Sequence, residues 1–103
     1  INSVLLPHVI RYNAEVCADD FVELADAIGL EASGSPRTVA DRLADAVADL
    51  AARVGMPDAL HPLGVRSEDL SLLTGHALAD SCMITNPRRA VADEVHELYR
   101  QAL

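Results

Sequence analysis

The chain has no lysine and no tryptophan, one phenylalanine, two tyrosines and two cysteines. Each shortage removes a class of function. All 8 bases are arginine and they face 16 acids, for a net charge of −8 at pH 7. Nucleic-acid binding needs a basic patch to neutralise phosphates, and Arg88-Arg89 is the only adjacent basic pair, so no nucleic-acid partner is expected. No apolar run approaches the roughly 18 residues of a membrane span, so no membrane role is expected. Cys17 and Cys82 lie far apart, outside any CxxC or Cys/His zinc spacing. Two such cysteines argue against a disulfide scaffold and for a reduced, cytoplasmic setting. The five glycines are scattered, with no phosphate-cradling loop and no nucleophile elbow among them. No charged segment precedes an apolar one at the start, as a signal peptide requires. Apolar periodicity is already under way at Val4-Leu5-Leu6, the pattern expected of a chain cut inside a helix.

What remains is aliphatic and helical. Half of the 103 residues are apolar, enough for one domain with its own core. With few aromatics, that core must be built from Leu, Val, Ile and Ala. Asn2 to about Asn13 reads as a helix kinked by Pro7. A second starts at Asp19 or Asp20, runs through Phe21, Leu24 and Ile28, and stops at Gly29. Ser35 caps a third, with Pro36 at its first position. Val39, Leu43, Val47, Leu50 and Val54 make this the clearest amphipathic element, ended by Gly55 and Pro57. Residues 56–65 form a loop. Ser67 caps a further helix through Leu70, Leu73 and Leu78 to about Asp80, with Glu68 and Asp69 in its first turn. The last helix runs from about Val91 to Ala102, with Val95, Leu98 and Ala102 on one face. Nothing alternates with period two, so the expectation is an all-α bundle of five to six helices.

Candidate chemistry is sparse. His8, beside Pro7, reads as a histidine packed at a helix bend or as a residue near a metal or nicotinamide site. His76 and Asp80, four apart, could face one metal, but no third ligand completes a site, and the pair reads as partly exposed surface. His61 and His96 read as surface residues. Asp41, Asp45 and Asp49 form an acidic row that reads as a solvated face relieved by Arg42 and Arg53. Cys82 follows a helix C-terminus, which does not lower a thiol pKa, so it is not expected to be a nucleophile. From the residues alone it is a small buried apolar group; Cys17 is plainer still. No catalytic, cofactor-binding or metal-ligating residue is assigned within the chain.

Several segments together resemble one family. Leu5-Leu6-Pro7-His8 with Tyr12-Asn13, the run Val22 to Gly29, Gly55-Met56-Pro57 with Gly64-Val65 and Glu68-Asp69-Leu70, and Asp80-Ser81-Cys82 with Thr85-Asn86-Pro87-Arg88 and Glu97-Leu98-Tyr99 are similar, in order and spacing, to the C-terminal half of the iron-containing (group III) alcohol dehydrogenases. The resemblance implies that residues 1–103 are the C-terminal all-helical domain of a dehydroquinate synthase-like fold. The N-terminal NAD(P)-binding α/β domain would lie outside this chain. So would the metal ligands, one aspartate and three histidines, the last of them just ahead of Ile1. It implies hydride transfer between an alcohol and an aldehyde or ketone, assisted by iron or zinc, in a homo-oligomeric parent; this chain alone would bind no cofactor and be inactive. Cys82, and less directly His8, become residues lining the substrate pocket. Valine at position 91 departs from the family's Thr or Ser cap, leaving Asn86 or no residue to cap the last helix. Maleylacetate reductase, which shares the fold and the Pro-His helix, is the nearest alternative. A free-standing helical oligomerisation module is the alternative of another class. In a chain separated from its upstream partner, Val4, Leu5, Val9 and Ile10 are expected to stand open and drive self-association.

Overall fold

A computed structural model describes all of residues 1–103 and contains helices and turns without strands. There are four α-helices: α1 (Asn2–Ala27), α2 (Pro36–Arg53), α3 (Leu70–Ala79) and α4 (Ala92–Gln101). Short 3-10 turns cover His61–Leu63, Ser67–Asp69 and Ser81–Thr85. The all-α expectation holds, but the count of five to six does not, because the first two expected helices are one. Their junction survives as a break at Cys17, whose φ of −139° and ψ of 36° are the only non-helical dihedrals inside α1. The Cys17 thiol donates to the Asn13 carbonyl one turn back, the kind of side-chain competition that accompanies bent helices. Pro7, expected to kink the chain, sits inside α1 on helical dihedrals with its ring buried.

Local signals at the start of α2 work as read. The Ser35 hydroxyl accepts from the Thr38 N–H at 3.2 Å, and Pro36 follows. Ser35→Ala should cost about 1 kcal/mol of stability, read as a lower urea midpoint with an unchanged slope. The next expected cap differs. Ser67 makes no capping bond; the Asp69 carboxylate instead accepts from the Arg66 N–H at 2.9 Å, closing the 3-10 turn from which α3 continues. Val91 precedes α4 without a side-chain cap, Asn86 being engaged elsewhere.

α1 and α2 pair as a helical hairpin, while α3 packs on α4 and α4 on α1. Pro7 apart, the buried apolar residues are all Val, Leu, Ile or Ala, as the shortage of aromatics required. Six of them form two small clusters. Ile10, Leu43 and Ala44 hold the hairpin together, with Phe21, Leu30 and Val47 around them. Val4, Leu60 and Ala102 tie the start of α1 to the end of α4, with Leu5, Val65, Tyr99 and Leu103 around them. Val4 and Ile10 are therefore buried and Leu5 and Val9 half-buried, against the expectation that this segment stands open. The open apolar residues lie elsewhere. The α2 stripe is buried at Val39 and Leu43 but uncovered at Leu50 and Val54. Only 15 of 103 residues are buried, and the accessible surface is 6477 Å². A monomer of this mass ordinarily exposes roughly 5,600 Å², so the chain carries surface that a self-contained domain would cover.

Candidate functional site

The densest long-range polar contacts join the middle of α1 to the segment between α3 and α4. Asn13 is buried, and its side-chain amide pairs reciprocally with that of Asn86, both bonds 3.0 Å long. The Asn86 Nδ2 also donates to the Arg88 carbonyl at 2.6 Å. That third bond fixes which way the amide faces, since only the nitrogen can donate. Arg88 then turns back onto α1. Its Nη1 donates to the Tyr12 carbonyl at 3.1 Å and pairs with Glu15 at 2.9 Å, while Nη2 pairs with Glu94 on α4 at 2.8 Å. Its guanidinium carbon lies 3.9 Å from the centre of the Tyr12 ring, within cation–π range. The Tyr12 hydroxyl closes the circuit by donating to the other Glu94 oxygen.

Burial, and then the bond to Glu94, push the Tyr12 phenol up to about 12 from its ordinary 10. The same bond, followed by the Arg88 charge, holds the Glu94 carboxyl below its usual range. The folded chain thus keeps the Tyr12 proton to a higher pH than the unfolded chain does. Its contribution is whole below pH 10 and is lost as pH rises toward about 12. Tyr12→Phe should flatten that alkaline limb in unfolding free energies measured across it.

Beside this network a cavity of about 190 Å³ lies among α1, α3, the 81–85 turn and α4. Leu5, Val9, Met83, Val95, Leu98 and Tyr99 form its apolar lining, with Tyr12 and Asn86 also on its wall. A more open, charged groove over the other side of Tyr12 is bordered by His8, Arg11, Arg88, Glu94 and Glu97. Its acids and bases neutralise one another, so it offers no field of one sign.

His8 is half-buried on this groove. Burial, and then the nearby Arg11 charge, push its pKa down, so the ring is neutral at pH 7. Cys82 is exposed, which corrects the reading of it as a buried apolar group. Its position follows from Asp80, whose carboxylate accepts from the Cys82 N–H at 2.8 Å and starts the Ser81–Thr85 turn. The Thr85 hydroxyl bonds back to the Cys82 carbonyl at 3.0 Å. A capping role takes Asp80 off α3: its backbone is extended (φ −71°, ψ 134°), so it shares no helix face with His76. His61 is exposed and His96 half-buried.

The acidic row of α2 is a partly solvated face, but its partners come from other positions than expected. Arg11 on α1 bonds Asp45 and lies 3.8 Å from Asp41, and Arg37 lies 3.7 Å from Asp41. Arg42 instead donates to the carbonyls of Glu31 and Ser33.

Nowhere do three His, Cys, Asp or Glu side chains converge as metal ligands. Gly29 and Gly55, at φ +79°, follow the ends of α1 and α2 and build no phosphate cradle. The residues of this chain alone therefore bring together no set of metal ligands. Residues Tyr12, Asn13, Arg88 and Glu94 escaped the sequence reading as a unit. The sequence signal for them is the co-occurrence of Tyr12-Asn13 with Asn86-Pro87-Arg88, two separate pieces of one resemblance.

The chain is similar to known proteins along nearly its whole length. The chain is 39% identical over 102 residues to lactaldehyde reductase of Escherichia coli, a match covering 98% of this chain and 27% of that protein. It is 37% identical over 102 residues to 1,3-propanediol dehydrogenase of Citrobacter freundii, covering 98% of this chain and 26% of that one. The fold superposes on the crystal structure of a 1,3-propanediol oxidoreductase with a TM-score of 0.93 at 34% identity, over 99% of this chain and 27% of the other. The chain thus spans about a quarter of the length of these relatives. The sequence profile of the Fe-containing alcohol dehydrogenase family, C-terminal, matches residues 1–103 from end to end, and the chain belongs to that family.

Proposed function

We propose that residues 1–103 form the C-terminal helical domain of a metal-dependent, NAD(P)-linked alcohol dehydrogenase. The parent enzyme interconverts small alcohols and their aldehydes or ketones by hydride transfer. Its cofactor supplies the redox chemistry, and its metal, iron or zinc, acts as a Lewis acid; both are held chiefly by an upstream α/β domain. The observation that carries this reading is the end-to-end family match together with identity to dehydrogenases of which this chain spans about a quarter. Alcohol and diol activity in the relatives' names favours this reading over a maleylacetate reductase, and the partial coverage favours it over a free-standing module.

Within the parent, the helical domain forms one wall of the substrate cleft. Cys82, exposed here on its own turn, lines that wall as volume beside the substrate, and His8 borders it as a neutral imidazole. The surplus surface of the isolated chain, including Leu50 and Val54, supports burial against further domains or subunits of a cytoplasmic homo-oligomer.

In the full-length enzyme, Cys82→Ala should change the ratio of kcat/KM for long against short alcohols by between about 2-fold and 30-fold, the range of a small change in pocket packing. Cys82→Trp should exclude bulky alcohols first. An unchanged ratio in both variants, with only thermal stability lowered, would remove Cys82 from the cleft. Chelation of the metal should abolish turnover with every alcohol.

A further inference from the structure

We infer that Asn13 is a positioning residue: its amide pair with Asn86 sets where the Ser81–Thr85 turn, and with it Cys82, stands against the helix that carries His8. The substrate-facing role of that turn rests on the function proposed above; the mechanical link is a property of this chain. At its start the turn is tied by Asp80, through the Cys82 N–H at 2.8 Å and through its own carbonyl to the Met83 N–H at 3.0 Å. Both ties are local and move with the turn. At its end, Asn86 donates its N–H to the Met83 carbonyl at 3.3 Å and binds Asn13 through both amide atoms. Within the turn and its two bounding residues, these are the side-chain bonds that reach another helix. Ser81, Cys82, Ile84 and Thr85 are all exposed, Ile84 to 86%, and Met83 alone packs inward, on the cavity wall, so packing holds the turn through one side chain and leaves its ends to hydrogen bonds.

Asn13 is well suited to the task. It is 6% exposed, and it stands on α1 five residues beyond His8. A buried amide that loses its partner carries a desolvation penalty, so the pair tolerates little displacement. Arg88 reinforces the register, because the carbonyl that orients Asn86 belongs to the residue whose guanidinium grips Tyr12 and Glu15. Movement of the turn would break bonds in both.

The test uses Asn13→Asp and Asn86→Asp in the full-length, metal-loaded enzyme. Each replacement keeps the shape of the side chain and removes its amide donors. Two readouts are taken: the rate at which Cys82 reacts with a neutral aromatic disulfide, corrected with a Cys82→Ser control, and the kcat/KM ratio for long against short alcohols. Each variant should raise the Cys82 rate about fivefold, the scale of one lost buried hydrogen bond, and should shift the alcohol ratio in the direction set by Cys82→Ala. Either variant carries the test should the other not fold. An unchanged Cys82 rate in a folded variant overturns the positioning role, whatever happens to melting temperature. A raised rate supports it even when the alcohol ratio stays fixed; a ratio fixed also in Cys82→Ala and Cys82→Trp then dismisses the cleft reading of Cys82 alone.

Discussion

Leu60→Ala should lower the stability of the chain by about 3 kcal/mol, within the usual range for deleting a fully buried leucine. Leu60 has no exposed surface and forms one core cluster with Val4 on α1 and Ala102 at the end of α4. Its N–H donates to the Ala102 carbonyl at 2.8 Å, and the next N–H, of His61, reaches the Leu103 carbonyl at 3.2 Å. The loop after α2 is thereby sewn to the chain's last residues. The surrounding core is small, so little neighbouring bulk can relax into the cavity. A shift in urea midpoint well under 1 kcal/mol equivalent would mean that the Val4–Leu60–Ala102 cluster is not a core.

Removing Arg88 should have the next largest effect. Arg88→Ala takes away a bond to a backbone carbonyl, a stacked aromatic contact and two carboxylate partners at one stroke. The side chain is only 20% exposed, so water replaces these contacts incompletely. A loss of about 2 kcal/mol is expected. Arg88→Lys should recover less than half of it, because an ammonium cannot span the Tyr12 carbonyl, Glu15 and Glu94 as a planar fork does. Full rescue by lysine would show that charge alone matters.

The parts of the fold that were legible in the sequence are those governed by neighbours along the chain. Ser35-Pro36 announces a helix start because a cap and its target N–H lie three residues apart. The stripe from Val39 to Val54 announces an amphipathic helix. What periodicity cannot record is whether the apolar face is covered along its whole length, and Leu50 and Val54 are uncovered where Val39 and Leu43 are not. Proline at position 7 suggests a break, yet it keeps helical dihedrals and a buried ring, and the departure inside α1 lies at Cys17, between the two helices the sequence suggests. The site was least legible. Asn13 and Asn86 are separated by 73 positions, and Arg11 by 34 from Asp45; no local pattern links such residues. Asp80 lay closer to hand. An aspartate two residues before the Cys82 N–H also starts a turn, which the apolar periodicity ending near Asp80 masks.

The resemblance to iron-containing alcohol dehydrogenases could be seen because it rests on the order of several motifs, whereas the chemistry of those enzymes needs groups that do not converge within this chain. We propose that this helical domain serves an alcohol dehydrogenase and performs no redox chemistry alone. Alcohol-dependent reduction of NAD or NADP, followed side by side for the iron-loaded full-length enzyme and for the purified 103-residue chain with the same metal and nucleotides, tests it most directly. Steady turnover of short alcohols or diols by the full-length enzyme and none by the chain is the predicted result. Turnover by the chain alone, or a folded, metal-loaded full-length protein inert toward every short alcohol and aldehyde with either nucleotide, would contradict it.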